Sequence, residues 1–154
     1  MTKNTQLDIP RALLSGAAAG TAYLAAMWAD NKISSHKFND IKLVGQIFTT
    51  RSPFWQIQGL VGHYGFSGVM ALLYATQAYH RLPGPGWLRG LIFLQIENTI
   101  LYPLAIPMDP RHAGVQSGQL PPVWNWKSFW GQVVRHVAFG VALGALYRDK
   151  KRET

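Results

Sequence analysis

Four ionisable side chains stand well inside stretches that are otherwise apolar: His63, Glu97, Arg135 and His136. An ionisable group within a membrane-spanning stretch is expensive to bury, and by default it raises a functional question. His63 follows Trp55 by eight residues and Glu97 follows Trp87 by ten, roughly 12 and 15 Å of helix. With the tryptophans at the interfaces, His63, Glu97 and His136 lie near mid-depth, where they can meet across a bundle. Two imidazoles at one depth could hold a haem iron from both sides or a tetrapyrrole metal from one. With Glu97 they would supply three N/O ligands to a metal ion. With Glu97, Asn98, Gln95 and Arg135 they could line a proton or ion path. Against these stands a structural reading. Each histidine bonds its partner, Ser67 or a backbone carbonyl, and a buried Glu97–Arg135 pair sets helix register. The structural reading is the expected one. No metal or cofactor is expected, and His63 and His136 would be the ligands were a haem, a tetrapyrrole or a metal ion present. His36, His80 and His112 fall in loops or at interfaces and are expected to be solvated.

The elements that must position these groups are apolar helices. Charged residues make up only 14% of the 154-residue chain and apolar residues 48%, against about a quarter charged in an ordinary soluble domain. The apolar residues cluster in four blocks, at about 12–28, 55–79, 87–106 and 129–147. Each is near the length needed to cross the hydrocarbon core. All six tryptophans, Trp28, Trp55, Trp87, Trp124, Trp126 and Trp130, fall at or near block ends. An indole prefers that level, with its ring half-buried and its N–H still able to reach a polar partner. The first block is expected to be retained, because bulky Trp28 sits where a signal-peptide cleavage site needs small residues. The net charge of +8 comes mostly from termini and loops beside apolar blocks. That distribution points to a membrane surface and not to nucleic acid, which calls for a basic stripe with interleaved aromatics. Four spans place both termini and the 80–86 loop on one side. The "RDKKR" tail makes that side the more basic, hence cytoplasmic. In the first outer loop Phe38, Ile41, Val44, Ile47 and Phe48 recur at helical spacing, which predicts a short amphipathic helix on the membrane surface.

The chain also repeats itself. "VGHYGFSGVMALLY" (61–74) aligns with "VRHVAFGVALGALY" (134–147) at an offset of 73 residues, pairing His63 with His136, Ser67 with Gly140 and Ala71 with Gly144. Upstream, Gly16 and Gly90 fit that offset within one residue. The predicted fold is therefore all-α: a single transmembrane bundle over 1–154 of four helices, arranged as two tandem parallel two-helix repeats at about 11–79 and 85–148. Small residues mark its helix contacts: Gly16 and Gly20, the series Gly59, Gly62, Gly65 and Gly68, and Gly140 with Gly144.

The Gly-His motif of the second block, "WLRG" (87–90), "YPL" (102–104), the Pro-rich loop after it, and the last block's histidine followed by an aromatic-Gly step resemble the YagU-like inner-membrane proteins of bacteria. The resemblance covers about residues 55 to 148. This chain departs from the pattern in a shorter first outer loop without cysteines. The resemblance implies a polytopic bundle in the bacterial inner (plasma) membrane, and it implies no reaction.

There is no cysteine in the chain, and no phosphate loop, HExxH motif or Ser-His-Asp constellation, so no catalytic residue is assigned and an enzyme is not expected. The leading expectation is a non-enzymatic packing or accessory subunit, with the lipid bilayer and itself or other membrane subunits as partners. The second is a small transporter or channel built on Glu97, His63 and His136. The third is a haem- or pigment-binding membrane protein.

Overall fold

The computed structural model describes residues 7–148. The described residues are helical, with no strand among them: α1 (Ile9–Ile33), α2 (Asp40–Gly45), α3 (Trp55–Leu73), α4 (Gly86–Leu101), α5 (Ala105–Met108), α6 (Ala113–Gln116) and α7 (Trp126–Leu146). Local chemistry sets the ends. Asp8 caps α1 by accepting from the Arg11 N–H at 3.1 Å, beside Pro10 in the first turn, where proline's missing donor is harmless. Asn125 caps α7 by accepting from Lys127 N–H at 2.8 Å and Ser128 N–H at 3.2 Å. Helix α3 relaxes into a π-turn over Tyr74–Ala78. Helix α4 tightens into a 3₁₀ turn over Tyr102–Leu104, because Pro103 cannot donate to the preceding turn.

Three stretches among the described residues are long and apolar enough to cross a membrane: Ile9–Ile33, Gly86–Arg111 and Trp126–Leu146. Helix α3, which carries Gln56, Gln58 and His63, is long enough but is not among them. Five of the tryptophans, Trp28, Trp87, Trp124, Trp126 and Trp130, are exposed on the bundle surface, and Trp55 is half-buried.

Helix α1 packs on α3 and α7, and α7 packs on α4. The flanking helices α3 and α4 barely touch, which leaves a lateral cleft between them. Close approach is set by small residues. A Cβ on Gly16 would lie 2.7 Å from Ala71 Cβ, and one on Gly20 would lie 2.6 Å from Ser67 Oγ. At the α4–α7 contact the backbones themselves meet. A Cβ on Gly90 would run into the Gly140 carbonyl, and one on Gly144 into that of Gly86. The main core, including Ala19, Ala71, Tyr74, Leu94, Phe139 and Leu143, fills the bundle from there.

Two expectations change. The glycine series of α3 is not one contact face. A period of three on a helix of 3.6 residues per turn rotates by about 60° per step. Gly59 and Gly62 accordingly face α2, Gly68 faces Leu13 of α1, and Gly65 has open space beside it. The loop helix is also shorter than its apolar spacing predicted, and it is turned inward. Asp40 and Phe38 are buried, while Ile47 and Phe48 lie beyond the helix and are exposed. Asn31 holds the segment in place. Its side chain accepts from Phe38 N–H and donates to Phe38 C=O, both at 2.9 Å.

Candidate functional site

One polar network runs from the α2 end of the bundle into its middle. Arg135, only 1% exposed, donates from Nη2 to Asp30 at 2.6 Å and from Nη1 to Asp40. Its guanidinium lies 5.9 Å from the Phe38 ring centre. Gln132, one turn earlier on α7, donates to the other Asp40 oxygen at 2.6 Å and accepts from Tyr23 O–H at 2.6 Å. One turn further on, the His136 ring continues the chain. Its Nδ1 lies 2.7 Å from the Gln132 carbonyl, and its Nε2 lies 3.2 Å from Glu97 Oε2.

Arg135 was expected to pair with Glu97 or to reach outward. The structure assigns it two other carboxylates. Asp30 sits one turn before the end of α1, and the inward fold of the 34–54 loop delivers Asp40, so the charge is paired where it stands, although the buried Nε finds no hydrogen-bond partner. Breaking such a buried pair from one side is costly. Glu97 is left to His136.

The tautomers follow from the partners. A carbonyl oxygen only accepts, so His136 must donate from Nδ1. Its Nε2 and the Glu97 carboxylate then attract only if a proton is held between them, on the imidazole or on the carboxyl. The approach is within ion-pair reach but off the line of a hydrogen bond, and Glu97 Oε2 is buried without one. His63 donates from Nε2 to the Gly20 carbonyl at 3.0 Å, which leaves Nδ1 as an acceptor in the neutral ring. Ser67 O–H donates to the His63 carbonyl at 2.8 Å. Both imidazoles pack on the Tyr23 ring, with centres at 5.3 and 5.4 Å.

His63 and His136 line one cavity of about 350 Å³, with Tyr23, Asp40, Gln132 and Ser67 as its other polar members and Phe66, Met70, Leu94 and Phe139 among its apolar walls. That volume lies at the low end of ligand pockets. Glu97 does not line it. Glu97 opens instead into the α3–α4 cleft, a second space of about 280 Å³, and Met70 borders both. The three expected groups therefore converge as a chain, with His136 between the cavity and Glu97. No three His, Asp or Glu side chains among the described residues are placed to hold a metal ion together. The Nε2 atoms of His63 and His136, the atoms that would ligate a haem iron, already face Gly20 C=O and Glu97. Asn98 is buried, with its Nδ2 unpartnered.

Comparison with known protein families, curated proteins and solved structures finds no match to this chain. The site has to be read from its own chemistry.

The histidines expected to be solvated are not uniform. His112 is buried. Its Nδ1 accepts from the N–H groups of Gly114 and Val115 at the start of α6, and Nε2 donates to Leu43 C=O at 2.7 Å, tying the 34–54 segment to the 105–125 segment. His36 is half-buried, with Nε2 2.8 Å from Ser128 Oγ. Burial, helped by Lys127 and Arg135 nearby, pushes its pKa below the ordinary imidazole value. The ring of His80 packs on Tyr79 with centres 4.9 Å apart.

Sequence reasoning missed Tyr23, Asp30, Asp40 and Gln132. Gln132, Arg135 and His136 at i, i+3 and i+4 put three polar groups on one face of α7. That face had to be answered by something, and the chain has only seven acidic residues to choose from.

Proposed function

We propose that this chain is a small proton-linked transporter of four membrane spans, built from two tandem parallel hairpins, with both termini on the cytoplasmic side of a bacterial inner membrane. The single observation that carries this reading is the cavity lined by both His63 and His136, with Glu97 within ion-pair reach of the second. An intramembrane site with a proton held between two of its groups suits a carrier. The polar groups favour a carrier over an open channel, because they stop near the middle of the bundle. Beyond them Tyr74, Leu143 and Tyr147 are buried in an apolar core. The hairpin repeat is supported by equivalent contacts. Gly16 meets Ser67 and Ala71 as Gly90 meets Gly140 and Gly144, a pairing that matches the 73-residue offset in the sequence at Ser67 and Ala71 and to within one residue at Gly16. A polytopic inner-membrane bundle is also what the YagU-like resemblance implies.

A second reading, the packing or accessory subunit, is favoured by the unpartnered side of α3, where Gly65 is open and Val61 and Val69 are exposed. One experiment separates the two. The chain lacks cysteine, so single cysteines report cleanly. In native membranes, Ser67→Cys and Met70→Cys are expected to react with a water-soluble methanethiosulfonate reagent, while Leu143→Cys stays inert. Protection of all three would leave a dry structural bundle and overturn the transport reading.

A further inference from the structure

The hydrogen-bond inventory of the cavity is lopsided, and the imbalance identifies a ligand. The wall donors whose bonds are described are already spent. Tyr23 O–H goes to Gln132, Ser67 O–H to the His63 carbonyl, His63 Nε2–H to Gly20, and His136 Nδ1–H to the Gln132 carbonyl. Gln132 spends an amide proton on Asp40. Beside the second Gln132 N–H, what the walls still offer are acceptors, and these outnumber it: His63 Nδ1, the Tyr23 and Ser67 oxygens, and the remaining lone pairs of Asp40. No lysine or arginine lines the space, whereas one carboxylate and the rings of Tyr23, Phe66 and Phe139 do. Aromatic faces attract cations, the more so when water is excluded. The cation paired with Asp40, Arg135, is shared with Asp30, so this three-residue cluster carries a surplus of one negative charge.

We propose that the cavity takes a small hydrophobic amine in its protonated form, with its N–H groups on these acceptors and its body against the aromatic walls. The proposal rests on the proton-linked reading above and names the substrate class. A carboxylate ligand would meet acceptors and a like charge, and a neutral alcohol would forgo the charge. The size, at the low end of ligand pockets, suits a single ring with a short chain.

The same geometry couples binding to a proton. The groups facing the His136 ring are Tyr23 of α1, Asp40 of α2, His63 of α3 and Glu97 of α4, with Arg135 and Gln132 beside it on α7. An ammonium ion arriving next to His136 repels the proton held between Nε2 and Glu97. That proton leaves to water while the bonds at Gln132 and Gly20 stay in place, so one charge enters as another departs. By linkage, acid must weaken amine binding to the same extent that the amine expels the proton.

The test is calorimetric titration of the purified full chain in mild detergent with phenethylamine, repeated in two buffers of different ionisation enthalpy. Phenethyl alcohol, phenylpropionate and trimethylphenethylammonium serve as comparisons. The amine is expected to bind at least about tenfold more tightly than the alcohol, the trimethyl cation is expected to bind more weakly than the amine for want of N–H donors, and the anion is expected not to bind. About one proton should be released per amine bound. Glu97→Gln, which alters no wall of the cavity, should keep binding and lose the proton release, and His136→Gln should lose the release as well. Equal binding of alcohol and amine, or tighter binding of the anion, overturns the ligand class. Amine binding without proton release in the wild type overturns the coupling. Reactive Ser67→Cys and Met70→Cys together with no amine binding would reject this inference and leave the transport reading standing. Inert thiols would reject both.

Discussion

The two ends of the bundle are held together by different physics. At the α2 end, Arg135, Asp30, Asp40, Gln132 and Tyr23 form a connected polar network in which each bond supports the next. At the other end, Gly86 and Gly90 of α4 lie against Gly140 and Gly144 of α7, with no room for a Cβ. The glycine end specifies distance, since small residues let backbones meet and the contact fails if anything is added. The polar end specifies identity, since a buried charge tolerates few partners. The cavity occurs where these regimes meet, at the level of His63 and His136, because a polar network leaves space that glycine packing does not.

Removing the cation is the hardest blow. Arg135→Met abandons two carboxylates and should cost about 3–5 kcal/mol of stability, read by thermal or denaturant unfolding in detergent. A loss under about 1 kcal/mol would mean that Asp30 and Asp40 are satisfied by water and that the polar end is not a unit.

That network also marks the limit of what could be read from the sequence. The helices and the small-residue contacts at Gly16, Gly20, Gly140 and Gly144 were legible, because each is a local composition with a local meaning. Arg135, His136 and Glu97 were legible as costly residues. Their partners were not. Asp40 sits in a loop between apolar residues at helical spacing, a pattern that places it on the water side of a surface helix. It is brought inward by long-range contacts, the grip of Asn31 on Phe38 and the packing of α2 on Gly59 and Gly62 of α3, which no spacing within 34–54 reveals. The same limit misread Gly65, whose regular interval looked like a face until the helical rotation was taken into account.

At the glycine end the effect is smaller but steeper with size. Gly90→Ala should cost about 1–3 kcal/mol through overpacking. Gly65→Ala, with nothing beside it, should fall within about 0.5 kcal/mol of wild type. Equal effects at the two sites would show that close approach at α4–α7 is not what holds that end. Tyr23→Phe, which strips one donor from Gln132 and keeps the ring between the imidazoles, should cost about 1 kcal/mol in the same measurement; no loss would detach Tyr23 from the network.

The smallest effect is expected at the rim. His36 has a native pKa lowered by burial from its ordinary 6.5, so the unfolded chain takes up the proton first. Its contribution to stability is complete above that value and is lost as pH falls through it toward the lowered native pKa. Unfolding curves of His36→Gln and wild type should diverge above about pH 6.5 and converge in acid. An opposite trend would place the protonated ring in a favourable site.

The most direct test of the central claim, that the cavity is acceptor-rich and backed by a shared proton, is ¹⁵N NMR of histidine-labelled protein assigned through His63→Gln and His136→Gln. The account predicts that His63 carries its proton on Nε2 with a bare Nδ1, and that His136 keeps Nδ1 protonated while its Nε2 signal responds to Glu97→Gln. A bare Nδ1 on His136, or an Nε2 indifferent to Glu97→Gln, would contradict it.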